Sequence, residues 1–342
     1  MGASETPPFW WDKPGLRALA LAPAAAAYAS LARRRVGNKP RIAVDLPVLL
    51  IADFAVSVPG KTQTAMAFAR AALDLGHRPG IVCAAPPGAG STPHLVDVPR
   101  DTPRHVGDAA LEIAGCAPVA VGTDKAAAAR LLAAEGCDLL ILVDGGLRQP
   151  LAAHFTLIVV DARLGLGNER VMPAGPLRCS LTDRVRSADA VLRIGDDTGG
   201  NSAVRAAARA ARPVYEARPA FSSGRSLSGR QLLAFTAIKD PTGFFDTVTK
   251  EGGELVDRHV FGEGHYFAPD ELAELLSDAI AADAGLVTTR RDAIRLAGGE
   301  PPPDGFMERL EIIDMAVEFE VDSTAPAIIA QTIDNWRAER AR

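Results

Sequence analysis

Short, continuous apolar runs alternate along the chain with stretches whose apolar residues recur every three or four positions. Pro47–Phe54, Gly80–Ala84, Pro118–Val121, Asp138–Val143, Thr156–Val160 and Ala190–Ile194 read as strands buried on both faces. Between them, Thr62–Leu75 and Lys125–Glu135 carry the helical period. Ala65, Phe68, Ala69, Ala72 and Leu73 line one side of the first, and Gly76 offers it a left-handed C-cap. Strands of this kind separated by helices predict an α/β fold, a mainly parallel sheet flanked by helices. A stretch rich in Gly, Ser, Ala and Arg over 196–228 reads as a surface excursion. Beyond it, strands at Leu232–Ile238, Glu254–Val260 and Gly285–Thr289 and helices at Thr242–Glu251 and Pro269–Ala282 predict a second, smaller α/β domain. The last segment, Ala325–Arg342, reads as an amphipathic helix capping the fold. The expected organisation is an N-terminal segment over 1–40, a larger domain over 41–228 and a smaller one over 229–342.

The first forty residues stand apart. An apolar run from Ala18 to Leu31 follows Trp10 and Trp11 and ends at Arg33-Arg34-Arg35, and the segment has a local charge of about +4. A helix over Leu16–Ala32 would be roughly 25 Å long against a hydrocarbon layer of ~30 Å, and Pro23 would kink or break it. Spanning is disfavoured, and a signal peptide would place its basic end first. Tryptophans at one end and arginines at the other suit a helix lying in the interface of an anionic membrane; an alanine-rich helix packed on the domain is the alternative.

Composition narrows the field. The 342 residues are 48% hydrophobic and 23% charged, which excludes wholesale disorder. A net charge of −5 argues against a duplex-DNA binder working by bulk electrostatics, and no nucleic-acid partner is expected. Cys83, Cys116, Cys137 and Cys179 form no C-x-x-C pair and read as reduced thiols rather than a zinc site.

Candidate chemistry begins where the first strand runs into Ala55-Val56-Ser57-Val58-Pro59-Gly60-Lys61-Thr62. A P-loop reads G-x-x-x-x-G-K-[ST] between a strand and a helix. Its amides cradle phosphate, its lysine reaches the β/γ-phosphates and its hydroxyl holds Mg²⁺. The second half is intact in Gly60-Lys61-Thr62, whereas Ala55 replaces the opening glycine and Pro59 has no N–H to donate. Leu139–Val143 ends on Asp144, as a strand delivers a magnesium-shell carboxylate beside such a loop. An aspartate there is also a common turn former. Together the two point to a P-loop NTPase-like nucleotide-binding domain.

Leu166-Gly167-Asn168 followed by Met172-Pro173-Ala174-Gly175-Pro176-Leu177-Arg178 is similar to a signature of the tetraacyldisaccharide 4′-kinase (lipid A 4′-kinase) family. Val106-Gly107-Asp108, Asp144-Gly145-Gly146-Leu147, Phe261–Phe267 and Thr289–Arg295 resemble further motifs of that family, in its order, over roughly residues 10–300. The resemblance implies ATP-dependent phosphorylation of the 4′-hydroxyl of the tetraacyldisaccharide 1-phosphate precursor of lipid A. This would take place on the cytoplasmic face of the bacterial inner membrane, with Mg²⁺ and with no obligate protein partner. It implies that Lys61 contacts the β/γ-phosphates within the loop Ala55–Thr62, and that Thr62 and Asp144 hold Mg²⁺. It also implies that Asp108 accepts the hydroxyl proton and that His265 works with it. From the residues alone, Asp108 could equally cap the helix through Leu111 and Ile113, and His265 could be a loop residue. The chain departs from the family at Ser57-Val58, Cys83–Pro87, Ala109-Ala110, Gly145, Arg148-Gln149 and Arg290, while Lys125 stands where the family has an arginine. The alternative is therefore a catalytically impaired relative that binds nucleotide or lipid as a scaffold or regulator.

Overall fold

The computed structural model describes residues 6–37, 41–56, 59–86, 92–144 and 151–341; Ser57, Val58 and the segment 145–150 after Asp144 lie outside them. The described chain packs as two compact units. The larger comprises 6–97, 113–219 and 317–341, the smaller 98–112 and 220–316. This packing differs from the division at residue 228 expected from the sequence, because residues 98–112 fold with the smaller unit and the last helix with the larger.

Eight strands carry the larger unit: β1 (Val48–Asp53), β2 (Pro79–Cys83), β3 (His94–Leu95), β4 (Val119–Val121), β5 (Leu139–Val143), β6 (Phe155–Asp161), β7 (Ala190–Ile194) and β8 (Val214–Ser223), of which β8 runs on into the smaller unit. Their order is β3-β4-β2-β5-β1-β6-β7-β8, parallel throughout except for the β3–β4 edge. β1 sits centrally, with Ile51 opposite Val143 of β5 and Leu157 of β6. All six of its residues are buried, as its unbroken apolar run requires of a strand covered on both faces.

Helix Lys61–Asp74 buries Ala65, Phe68, Ala69 and Ala72, and Gly76 follows with φ +83°. The helix Thr324–Arg340 packs on it and on β1, burying Ile328 and Ile329, and Phe68 meets Phe319 edge-on at 5.2 Å. The expected cap is thus present. The stretch 196–228 is more than a surface excursion, because it contains helix Asn201–Arg209 and β8. β8 is mostly half-exposed and holds Pro219, so it lacks the continuous apolar signature of its neighbours.

In the smaller unit, β9 (Gln231–Thr236), β10 (Glu254–Val260), β11 (Gly285–Thr289) and β12 (Leu310–Phe319) form the order β10-β9-β11-β12, again parallel, with β12 ending in the larger unit. Phe235, Phe267 and Phe306 pack edge-to-face in its core.

The N-terminal apolar run is two helices, Leu16–Ala20 and Ala22–Gly37, parted at Leu21. Pro23 falls in the first turn of the second, where its missing N–H costs nothing. Ala18, Ala25, Ala29 and Ala32 are buried, whereas Leu16 is 85% and Leu19 68% exposed.

Candidate active site

β1 ends on Asp53, a carboxylate with no solvent exposure in an otherwise apolar strand. Such a burial is tolerable only if the charge is paired. Lys61 Nζ donates to Asp53 Oδ2, Arg178 Nε lies 3.4 Å from Oδ1, and Arg184 Nε donates to the Asp53 carbonyl at 2.8 Å. Lys61 opens its helix directly after Gly60, whose φ is +100° and whose added Cβ would stand 2.7 Å from Ile194 Cδ1. The positive φ calls for glycine at that point, while the Ile194 methyl could shift aside. Thr62 is buried in the same first turn.

The described part of the loop is backed by the segment carrying the Pro-Ala-Gly-Pro signature. Ala55 forms an antiparallel bridge with Leu177, and Val56 N–H donates to Pro176 O at 3.0 Å. On its other side this segment holds the turn at Trp10. Trp10 Nε1 donates to Pro173 O at 3.0 Å, Asn168 N–H to Trp10 O at 2.7 Å, and Asn168 Nδ2 to Ala174 O at 2.9 Å. A Cβ on Gly167 would collide with the Trp10 carbonyl, and φ there is +57°.

Asp144 follows β5, and its N–H donates to Ile51 O at 3.1 Å. Asp53 and Asp144 thus stand at the C-terminal ends of two adjacent parallel strands, where open α/β sheets place ligands. Lys125, buried at the start of helix Lys125–Ala134, donates to Cys83 O at 2.7 Å. Burial holds its pKa below the usual lysine range although the Asp144 charge opposes this. The neighbouring Cys83 thiol is pushed up to about 12, chiefly by burial.

The smaller unit holds the other two expected residues. Asp108 begins helix Asp108–Ala114, and its Oδ1 accepts from Ala109 N–H at 2.7 Å. It is not the N3-bonding cap that its position allowed. Its Oδ2 accepts from Arg295, at 2.8 Å from Nε and closer from Nη2. Burial pushes the Asp108 carboxyl up, but the charges of Arg291 and Arg295, the Arg295 hydrogen bonds and the Ala109 amide together hold it below the ordinary range. His265 stacks on Phe261 with centroids 5.1 Å apart, and its Nε2 bonds Glu271 Oε2 at 2.7 Å. Asp108 and His265 therefore share a unit, but each has its own partner. Tyr266, next in the chain, feels the Asp108 charge.

Lys61, Thr62, Gly60, Pro59, Ala55 and Val56 thus belong to one loop and helix start, with Asp144 on the neighbouring strand, while Ser57 and Val58 lie outside the described residues. Sequence reasoning missed Asp53, Arg184 and Arg295. A lone carboxylate inside the first apolar strand was the available signal for Asp53. Arg295 closes the Thr289–Arg295 motif, but nothing local assigned it a role, and Arg184 had no signal, because each meets a partner more than a hundred residues away. The donors fit a triphosphate with a hard cation: a positive-φ glycine, a lysine, an alcohol and a carboxylate at the C-terminal ends of two central strands.

A parallel sheet whose central strand feeds Gly60-Lys61-Thr62 beside an acid-tipped strand defines the P-loop kinase fold. Residues 17–334 match the family described as tetraacyldisaccharide-1-P 4′-kinase, and the chain belongs to that family. Curated relatives named tetraacyldisaccharide 4′-kinase include one from Mesorhizobium japonicum, 43% identical over 99% of both chains, and one from Brucella suis, 44% identical over 98% of both. A crystal structure of LpxK from Aquifex aeolicus in complex with ATP superposes with a TM-score of 0.69 at 20% identity, covering 93% of this chain and 99% of that one.

Proposed function

We propose that this chain transfers the γ-phosphoryl group of ATP to the 4′-hydroxyl of tetraacyldisaccharide 1-phosphate. The observation that carries the reading is the strand–Gly60-Lys61-Thr62–helix junction beside Asp144, in a chain of this family. Phosphoryl transfer asks a protein for charge neutralisation and an aligned nucleophile. The bond from the γ-phosphorus to the bridging β-oxygen breaks, the bond to the sugar oxygen forms, and ADP leaves. In this reading the Gly60 turn and Lys61 hold the β/γ-phosphates, Lys61 exchanging its Asp53 partner for phosphate oxygens. Thr62 and Asp144 would hold Mg²⁺, which would supply further positive charge when bound. Asp108 accepts the hydroxyl proton, and His265 works with it by holding charge nearby.

The exposed Leu16, Leu19 and Leu31, with the basic residues of the N-terminal segment, support contact with the cytoplasmic face of the inner membrane, where such a lipid would be met. The decisive experiment is an ATP assay with tetraacyldisaccharide 1-phosphate in detergent. Wild type is expected to form the 4′-phosphate, and Lys61→Ala to lose on the order of 10²–10³ in kcat/KM. No product from either protein would refute the kinase and leave the scaffold alternative.

A further inference from the structure

Arg295 joins Asp108 to the core of the smaller unit. Its Nη1 donates to Asp292 Oδ1 at 2.8 Å and lies 3.3 Å from the Ala237 carbonyl. Asp292, with no solvent exposure, accepts in turn from Thr236 Oγ1 at 2.5 Å, Thr289 Oγ1 at 2.7 Å and Ala237 N–H at 3.2 Å. Thr236 ends β9 and Thr289 ends β11, so the guanidinium is fixed to two strand ends. Its remaining edge, Nε and Nη2, grips one oxygen of Asp108.

A hydrogen-bonded arginine fork fixes direction as well as charge, which a lysine ammonium does not. We infer that Arg295 is a positioning residue for the proposed phosphoryl transfer, fixing the orientation and the negative charge of the Asp108 carboxylate. The inference rests on the role given to Asp108 above. With Oδ2 taken by the arginine, the second lone pair of Oδ1, beside the Ala109 bond, is the acceptor left for a hydroxyl. The other groups facing Asp108 are accounted for. Arg291 adds its charge but is itself held by Glu112, with 3.2 Å from Nε and 2.9 Å from Nη2. Tyr266 lies under Arg104, 4.1 Å from its ring centroid, and is kept protonated first by burial and then by the Asp108 charge. Asp108 needs this clamp because its own helix offers it a single amide.

The test compares Arg295→Met and Arg295→Lys in the full-length chain by two readouts. One is titration of the Asp108 carboxyl carbon in aspartate-labelled protein by NMR, with the resonance assigned through Asp108→Asn. The other is the pH profile of kcat. Arg295→Met is expected to move the Asp108 titration, and the acid limb of kcat with it, to higher pH. It should lower kcat near neutrality by about ten- to a hundredfold, leaving KM for ATP unchanged. Arg295→Lys should restore the titration but only part of kcat, because charge is recovered without the fork. In an Asp108→Asn background, Arg295→Met should cost no further kcat.

If Arg295→Met leaves the buried Asp292 without its charge partner and does not fold, Arg295→Met/Asp292→Asn removes both charges and carries the same test. An unchanged titration and an unchanged kcat profile in these variants, or losses that add fully in the Asp108→Asn background, would overturn the inference. Absent turnover in the wild type would instead refute the kinase reading, and the NMR titration would still decide whether Arg295 holds Asp108.

Discussion

Asp53 is the hub of the nucleotide-loop charges, and removing it differs from removing its partners. With the carboxylate gone, Lys61 and Arg178 lose the acceptor they share. With Lys61 gone, Asp53 keeps Arg178 and the strand is little disturbed. Asp53→Asn is therefore expected to cost about 3 kcal/mol in urea unfolding, the low end for a broken buried pair because both cations keep some solvent. Lys61→Ala should cost less than 1 kcal/mol of stability while losing the activity. A reversed order of stabilities would show that the buried carboxylate is not the organising charge. Cys83, with its thiol pushed up to about 12, should resist alkylation at pH 8 until the chain unfolds, as mass spectrometry of the native protein can show.

Elements are held in register by a few long-range bonds. Trp10 docks the N-terminal turn onto the segment whose far side backs the nucleotide loop, through Gly167, Asn168 and Pro173. Trp10→Ala should expose the helices before Gly37 to protease well before global unfolding. Trp10→Phe, which keeps the ring and loses one hydrogen bond worth about 1 kcal/mol, should protect them largely as before. At the other end of β1, His154 Nδ1 accepts the Val48 N–H at 2.9 Å, a bond only the unprotonated ring can make. Burial holds the His154 pKa below its ordinary 6.5 despite Glu339 nearby. Its contribution is thus complete above pH 6.5 and is lost as the pH falls from there through the lowered folded value, where the unfolded chain binds the proton more readily. Midpoints of urea unfolding should fall over that range in wild type and fall less in His154→Gln.

For the whole molecule, the question is how it would meet the lipid substrate proposed above. Among the described residues no helix is long and apolar enough to cross a membrane. The N-terminal helices bury Ala18, Ala25, Ala29 and Ala32 and leave Leu16, Leu19 and Leu31 exposed. Packing on the domain and contact with a bilayer, which appeared as rivals in the sequence, can therefore occupy opposite sides of the same segment. Replacing Leu16, Leu19 and Leu31 together by serine should release the protein from anionic vesicles in sedimentation assays, since each buried leucine is worth ~1.5–3 kcal/mol. Undiminished binding would refute interfacial anchoring.

The sequence by itself determined the parallel strands and the lysine-bearing turn. Continuous apolar runs as short as Leu139–Val143, set between helical stretches, suit strands buried on both faces, and Gly60-Lys61-Thr62 is a local pattern read within one strand–helix junction. It determined β10 and β11 to the residue, and it left β8 and β12 unread because half-exposed strands carry no unbroken apolar signal. Only the tertiary structure decided that Lys61 rests on Asp53, that Trp10 braces the segment behind the loop, and that Asp108 is clamped by Arg295, 187 residues along the chain. Each of these is a pairing of buried polar groups, and which group finds which follows from the packing of strand ends rather than from any spacing along the chain.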